Sequence, residues 1–165
     1  MKSNADIYLR NIIFGVIDSL VSTVGLLAGI DIGGTAPRVI IMTGIVYAFV
    51  EAFSMAVGSF LSEESTEEYD ARGEVSGARA ALSAFVMFVS FVLASCIPIL
   101  PYVFLAPVAA FWVSIVASVA ALFLVGLAAA KVSRVRMLDH AAKMALLGGA
   151  AILIGVIVGK FVKVS

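Results

Sequence analysis

The chain has 165 residues, 62% of them hydrophobic and only 13% charged, with a mean hydropathy of +1.14. A soluble domain is about half apolar with about a quarter of its residues charged, so this composition describes an integral membrane protein. Eleven basic and eleven acidic residues cancel, which argues against a nucleic-acid partner, and the single cysteine, Cys96, rules out an intrachain disulfide or a cysteine-based zinc site.

About 20 apolar residues cross a bilayer core as a helix, and five stretches reach that length: about residues 11–30, 38–61, 80–99, 103–130 and 141–160. The expected fold is therefore an all-α membrane bundle in one transmembrane domain spanning residues 1–165. The first stretch holds Asp18 and has no clear small-residue cleavage site, so it reads as a retained helix and not a signal peptide. The segment from Asp31 to Pro37 carries two glycines and a proline and makes the first turn. An acidic connection, residues 62–79, joins helices two and three and is too short for a domain. Pro98 and Pro101 are expected to end or kink helix three, and the basic segment from Lys131 to Arg136 leads into helix five.

Basic residues favour the cytoplasmic side of a membrane. A cytoplasmic N terminus puts Lys2, Arg10, Arg72, Arg79, Lys131, Arg134, Arg136 and Lys143 inside, against Arg38, Lys160 and Lys163 outside. Five spans then carry the C terminus to the extracytoplasmic or lumenal side.

Two acids interrupt the apolar runs. Asp18 lies near the middle of helix one and Glu51 halfway through helix two. A charged side chain at that depth costs at least ~2.5–3.5 kcal/mol, so such residues usually line a pathway or a site. Helical spacing groups Asp18 with Ser22, Gly25 and Gly29, a narrow face that admits another helix or an ion. Met55 follows Glu51 by one turn on the same side of helix two. Two carboxylates with a thioether suit Fe(II), Mn(II), Co(II) or Zn(II) better than Mg(II) or Ca(II). The competing reading makes the acids neutral or hydrogen-bonded locks between helices, and Met55 a packing residue.

Beyond the membrane, Glu63, Glu64, Glu67 and Glu68 pair at four-residue spacing, with Glu74 further on. Like charges so spaced repel, and a cation or Arg72 and Arg79 would relieve them. The cluster reads either as a funnel collecting metal on the cytoplasmic side or as a solvated face. Small-residue pairs at Gly25/Gly29 and Gly155/Gly159 fit close helix packing, a common feature of membrane helices. Cys96 reads as a core thiol and His140 as an interfacial residue. No nucleophile–base arrangement or cofactor motif suggests an enzyme, and nothing calls for a prosthetic group.

The run from Arg10 to Gly29, Arg-Asn-Ile-Ile-Phe-Gly-Val-Ile-Asp-Ser-Leu-Val-Ser-Thr-Val-Gly-Leu-Leu-Ala-Gly, resembles the first-helix signature of the vacuolar iron transporter family. The run from Glu51 to Ser65, with Ser-Met-Ala-Val-Gly at its centre, resembles the second. Together the two motifs cover about residues 10–70. The resemblance implies a homodimer of five-helix subunits with an ion path near the subunit interface. It also implies export of Fe(II), often Mn(II), from the cytoplasm in exchange for protons. By motif position Asp18 and Met55 correspond to the family's membrane metal site, whereas Glu51 takes its role from depth alone. The chain departs from the family pattern in three places. Ser19 stands where Asp-Gly is usual, Ser59 where many members carry an acid, and the short acidic connection where well-known members have a large cytoplasmic helical domain.

The sequence thus predicts an exporter of Fe(II), with Mn(II) as a second cargo, whose partners are metal ions, lipid and a second copy of the chain. Its expected membrane is a prokaryotic plasma membrane, or a vacuolar one in a eukaryote. The alternatives are a Mn(II), Co(II) or Zn(II) exporter, an uncoupled metal path, and a non-transporting membrane scaffold.

Overall fold

A computed structural model describes residues 4–71, 77–133 and 136–162. Lys2, Arg72, Glu74, Arg134, Lys163 and the side chain of His140 lie outside the described residues. The described chain forms five helices: α1 (Asn4–Ile32), α2 (Pro37–Ala71), α3 (Ala78–Phe104), α4 (Pro107–Ser133) and α5 (Met137–Phe161). Each is long and apolar enough to cross a membrane, and the all-α bundle expected from the apolar runs is the fold observed.

The α1–α2 turn follows from its glycines. Thr35 N–H donates to the Ile30 carbonyl at 3.2 Å and Gly34 N–H to Asp31 at 2.9 Å, the paired bonds of a Schellman stop. Gly34 takes φ +90°, a conformation that a side chain would strain. Pro37 then opens α2 at its first position, where no N–H is missed.

α2 is 35 residues long, about 52 Å at 1.5 Å per residue, against a hydrocarbon core of about 30 Å. Its last turns, carrying Glu63 to Asp70, therefore project past the core as helix. The first part of the acidic connection is an extension of α2, and not a loop.

The α3–α4 break falls later than the prolines predict. α3 runs through Pro98 and Pro101 to Phe104, and only Leu105 and Ala106 separate it from α4. Proline frees carbonyls but does not force a helix to stop inside a membrane bundle, where neighbouring helices can satisfy them. The carbonyls that lose their helical donor are those of Ala94 and Ile97; separately, Ser114 of α4 donates its hydroxyl to the Pro98 carbonyl at 2.8 Å and ties α3 to α4 beside the prolines. The reversal falls instead at Leu105, extended at φ −117° and ψ 157°, and at Ala106, which lies outside both helices and precedes Pro107, a position that disfavours helical backbone.

α1 is the hub and packs on each of the other four helices, while α3 touches α1, α2 and α4. Leu20, Val24, Leu27, Phe91 and Leu122 are fully buried between them. α2, α4 and α5 turn Phe53, Trp112 and Leu153 outward, the direction in which a bilayer would be the solvent.

α1 and α5 cross through their glycines. A Cβ on Gly29 would lie 2.7 Å from the Gly155 carbonyl oxygen, and one on Gly25 would lie 3.3 Å from that of Ala151. The two small-residue pairs are thus one interface, backbone against backbone. Ser19, where glycine is usual, is also used: it is buried and donates its hydroxyl to the Phe91 carbonyl at 2.7 Å, tying α1 to α3.

Candidate metal pathway

On α2, residues 47, 51, 55, 59 and 63 follow each other at one-turn spacing. Each four-residue step rises about 6 Å and winds about 40° round the helix. Tyr47, Glu51 and Met55 are half-buried, and the winding turns the stripe inward until Glu63 is buried. Beside it run Ile40, Gly44, Ala48 and Ala52, the small face of α2 that packs inward, Gly44 against Leu27 of α1 and Ile99 of α3.

The middle of the stripe lies within electrostatic reach of Asp18. Glu51 and Asp18 come from different helices, yet lie close enough to act on each other electrostatically. Tyr47 lies near the Ser22 side chain and within electrostatic reach of both carboxylates. Ser22 in turn donates its hydroxyl to the Asp18 carbonyl at 2.6 Å. The fold therefore brings Asp18, Ser22, Tyr47 and Glu51 into one polar group within apolar helices. Two carboxylates held together in this way repel each other unless a cation or a proton sits with them. Tyr47 escaped the sequence reading, although its place one turn before Glu51 was a usable signal.

Met55, the next step, lines a cavity of about 520 Å³ between α1, α2 and α3, together with Asn11, Ser59, Glu63 and Met87. Asn11 is buried and holds three helices together, its Nδ2 donating to Ser59 Oγ at 2.9 Å and to Ser83 of α3. The position where many family members carry an acid is thus a hydroxyl bonded to α1.

The four glutamates proposed as a cytoplasmic metal intake have separate surroundings. Glu63 is buried and ion-paired with Arg10 of α1. Glu67 pairs with Arg79 Nε of α3, Glu64 lies against Gly77, and Glu68 is exposed. Among the described residues no three His, Cys, Asp or Glu side chains converge as a ready-made metal cluster. The carboxylates are instead distributed along α2, from the pair with Asp18 to the end of the helix.

Two overlapping stretches, residues 9–75 and 67–160, match the model of the VIT family. No curated protein matches the chain.

Proposed function

The chain belongs to the vacuolar iron transporter family and is accordingly an integral membrane transporter for metal ions; we propose that its cargo is Fe(II), with Mn(II) as a second substrate, exported from the cytoplasm in exchange for protons. The observation that carries this reading is a carboxylate on each of two packed membrane-spanning helices, Asp18 and Glu51, within electrostatic reach of each other. In the proposed cycle both acids, with Met55, bind the ion from the cytoplasmic side in their deprotonated form. Once the site opens outward, protons compete for the carboxylates and the metal leaves, because a ligand must lose its proton to bind metal and regains it on release. The protons then travel inward on the return step.

A homodimer is part of the proposal. Asp18 and Glu51 are only half-buried within one chain, and carboxylates facing hydrocarbon would be costly. A second copy against this face would shield them and place two such groups about a common axis. The excess of basic residues at one end of the bundle supports a cytoplasmic N terminus and an outward C terminus. A prokaryotic plasma membrane is the proposed location, with the vacuolar membrane its eukaryotic counterpart.

The test is anaerobic Fe(II) uptake into proteoliposomes of known protein orientation, with and without an inside-acidic gradient. Flux is expected in the wild type with the gradient, and at least a tenfold loss in Asp18→Asn, the rate equivalent of about 1.4 kcal/mol. Equal flux and equal gradient dependence in Asp18→Asn would refute the mechanism. Mn(II) flux in the absence of Fe(II) flux would move the assignment to a manganese exporter.

A further inference from the structure

The cavity above Met55 contains a carboxylate whose partner is poorly matched to it. Glu63 is buried, its side chain 10% exposed, whereas the side chain of Arg10 is 55% exposed. Of the two, only Arg10 can leave for water cheaply: its charge is already largely solvated and sits on a long flexible stem. Glu63 cannot, because an unpaired buried carboxylate is strongly disfavoured. Whatever displaces Arg10 must therefore bring positive charge to Glu63.

The surroundings of Glu63 fit such a visitor. Asn11, 4% exposed, uses its Nδ2 for Ser59 and Ser83, and its Oδ1 accepts no hydrogen bond among the described residues. The contact with the Ser83 carbonyl, which can only accept, fixes which end of the amide is the oxygen. The same cavity holds the Ser59 hydroxyl and the thioethers of Met55 and Met87. One carboxylate, one free amide oxygen, a hydroxyl and two sulfurs form a mixed hard and soft donor set suited to a divalent transition-metal ion.

We propose that this cavity is a cation-binding antechamber and that Arg10 is its tethered placeholder, which an arriving divalent metal displaces from Glu63. The identity of the cation rests on the export reading above; the site itself does not. With Arg10 in place the chamber is neutral and closed to a second cation. With Arg10 swung out, the metal meets Glu63 first, then Ser59, Met55 and Glu51, each about 6 Å further along α2. Arg10 thus excludes ions that cannot outcompete a guanidinium for one carboxylate, a filter favouring divalent over monovalent charge.

Mn(II) binding to the detergent-purified full chain tests this, measured by electron paramagnetic resonance of the free ion. An Asp18→Asn background separates the antechamber from the pair deeper in the membrane. Asp18→Asn alone should still bind Mn(II), adding Arg10→Gln should tighten that binding about tenfold, and adding Glu63→Gln should weaken it about tenfold, each ~1.4 kcal/mol. Unchanged affinity on altering either residue overturns the proposal, as does loss of all binding in Asp18→Asn. A second measurement leaves the ion pair intact: alkylation of Ser59→Cys in a Cys96→Ala chain should slow severalfold with Mn(II), and an unchanged rate also overturns it. Absent flux with this binding preserved would refute export alone, so the two readings fail separately.

Discussion

Gly155→Ala tests whether the α1–α5 crossing holds the bundle together. A Cβ at Gly155 would run into the carbonyl oxygen of Gly25, far inside ordinary contact distance. The obstacle is backbone and cannot rotate aside, so the helices must part by roughly 1 Å. A gap of 0.5–1 Å forfeits a quarter to a half of each atom pair's attraction of ~0.1–0.2 kcal/mol. Over roughly 25 pairs around the crossing the loss is about 1.5 kcal/mol, within the usual ~1–3 kcal/mol for overpacking. Two further substitutions set the scale. At Gly25 the added carbon would stand 3.3 Å from the Ala151 oxygen, and at Gly149 it would meet nothing within 4 Å. Gly25→Ala should therefore cost under about 1 kcal/mol. Gly149→Ala should be neutral or gain about 0.5–1 kcal/mol from helix propensity. Unfolding in mixed micelles with increasing dodecyl sulfate would rank the three. If Gly155→Ala proves as stable as Gly149→Ala, or Gly25→Ala proves the worst, the close-packed crossing is wrong.

Two other substitutions probe the helix contacts that frame the pathway. Ser19→Ala removes the 2.7 Å bond to the Phe91 carbonyl and should cost about 0.6 kcal/mol, as interhelical bonds in membranes do on average; the same micelle titration reads it, and a larger loss than Gly155→Ala would contradict this ranking. Gly77→Ala places a side chain at φ +62°, a left-handed conformation costing about 1–2 kcal/mol; its contact with Glu64 adds little because the carboxylate tip can move. A lowered thermal midpoint in size-exclusion assays is expected, and an unchanged one would mean that the start of α3 adapts.

The architecture was readable because a bilayer leaves few choices. Twenty apolar residues make a spanning helix, and five such runs make five helices. The misplaced boundaries fell where local rules compete with tertiary partners. Pro98 and Pro101 look like stops to a rule based on backbone donors, yet α3 continues through both, held against α4 by the bond from Ser114, sixteen residues on, to the Pro98 carbonyl. The repelling glutamates after Ser62 look like a loop, yet Arg10 and Arg79 neutralise Glu63 and Glu67 from other helices and the extension of α2 stands. In both places the contact that decides the outcome lies on another helix, out of reach of a local rule.

The same reasoning explains which parts of the candidate pathway the sequence exposed. Asp18 and Glu51 stand out because charge is rare at their depth, and the fold adds that they lie within electrostatic reach of each other. Glu63 does not stand out, being one acid among several at the end of a helix. Its burial follows from the winding of the α2 stripe: from Glu51 to Glu63 the direction turns by about 120°, bringing Glu63 within roughly 20° of buried Ala52. A one-turn repeat on a straight helix thus starts half-exposed at the acid pair and ends under α1. That places Glu63 inside the bundle beside Asn11, while Glu64, 100° round the helix, lies against Gly77 and Glu68 stays in the open. Of the four intake glutamates, Glu63 lines the cavity that holds Met55, so substitution at Glu63 should alter metal binding where substitution at Glu68 does not.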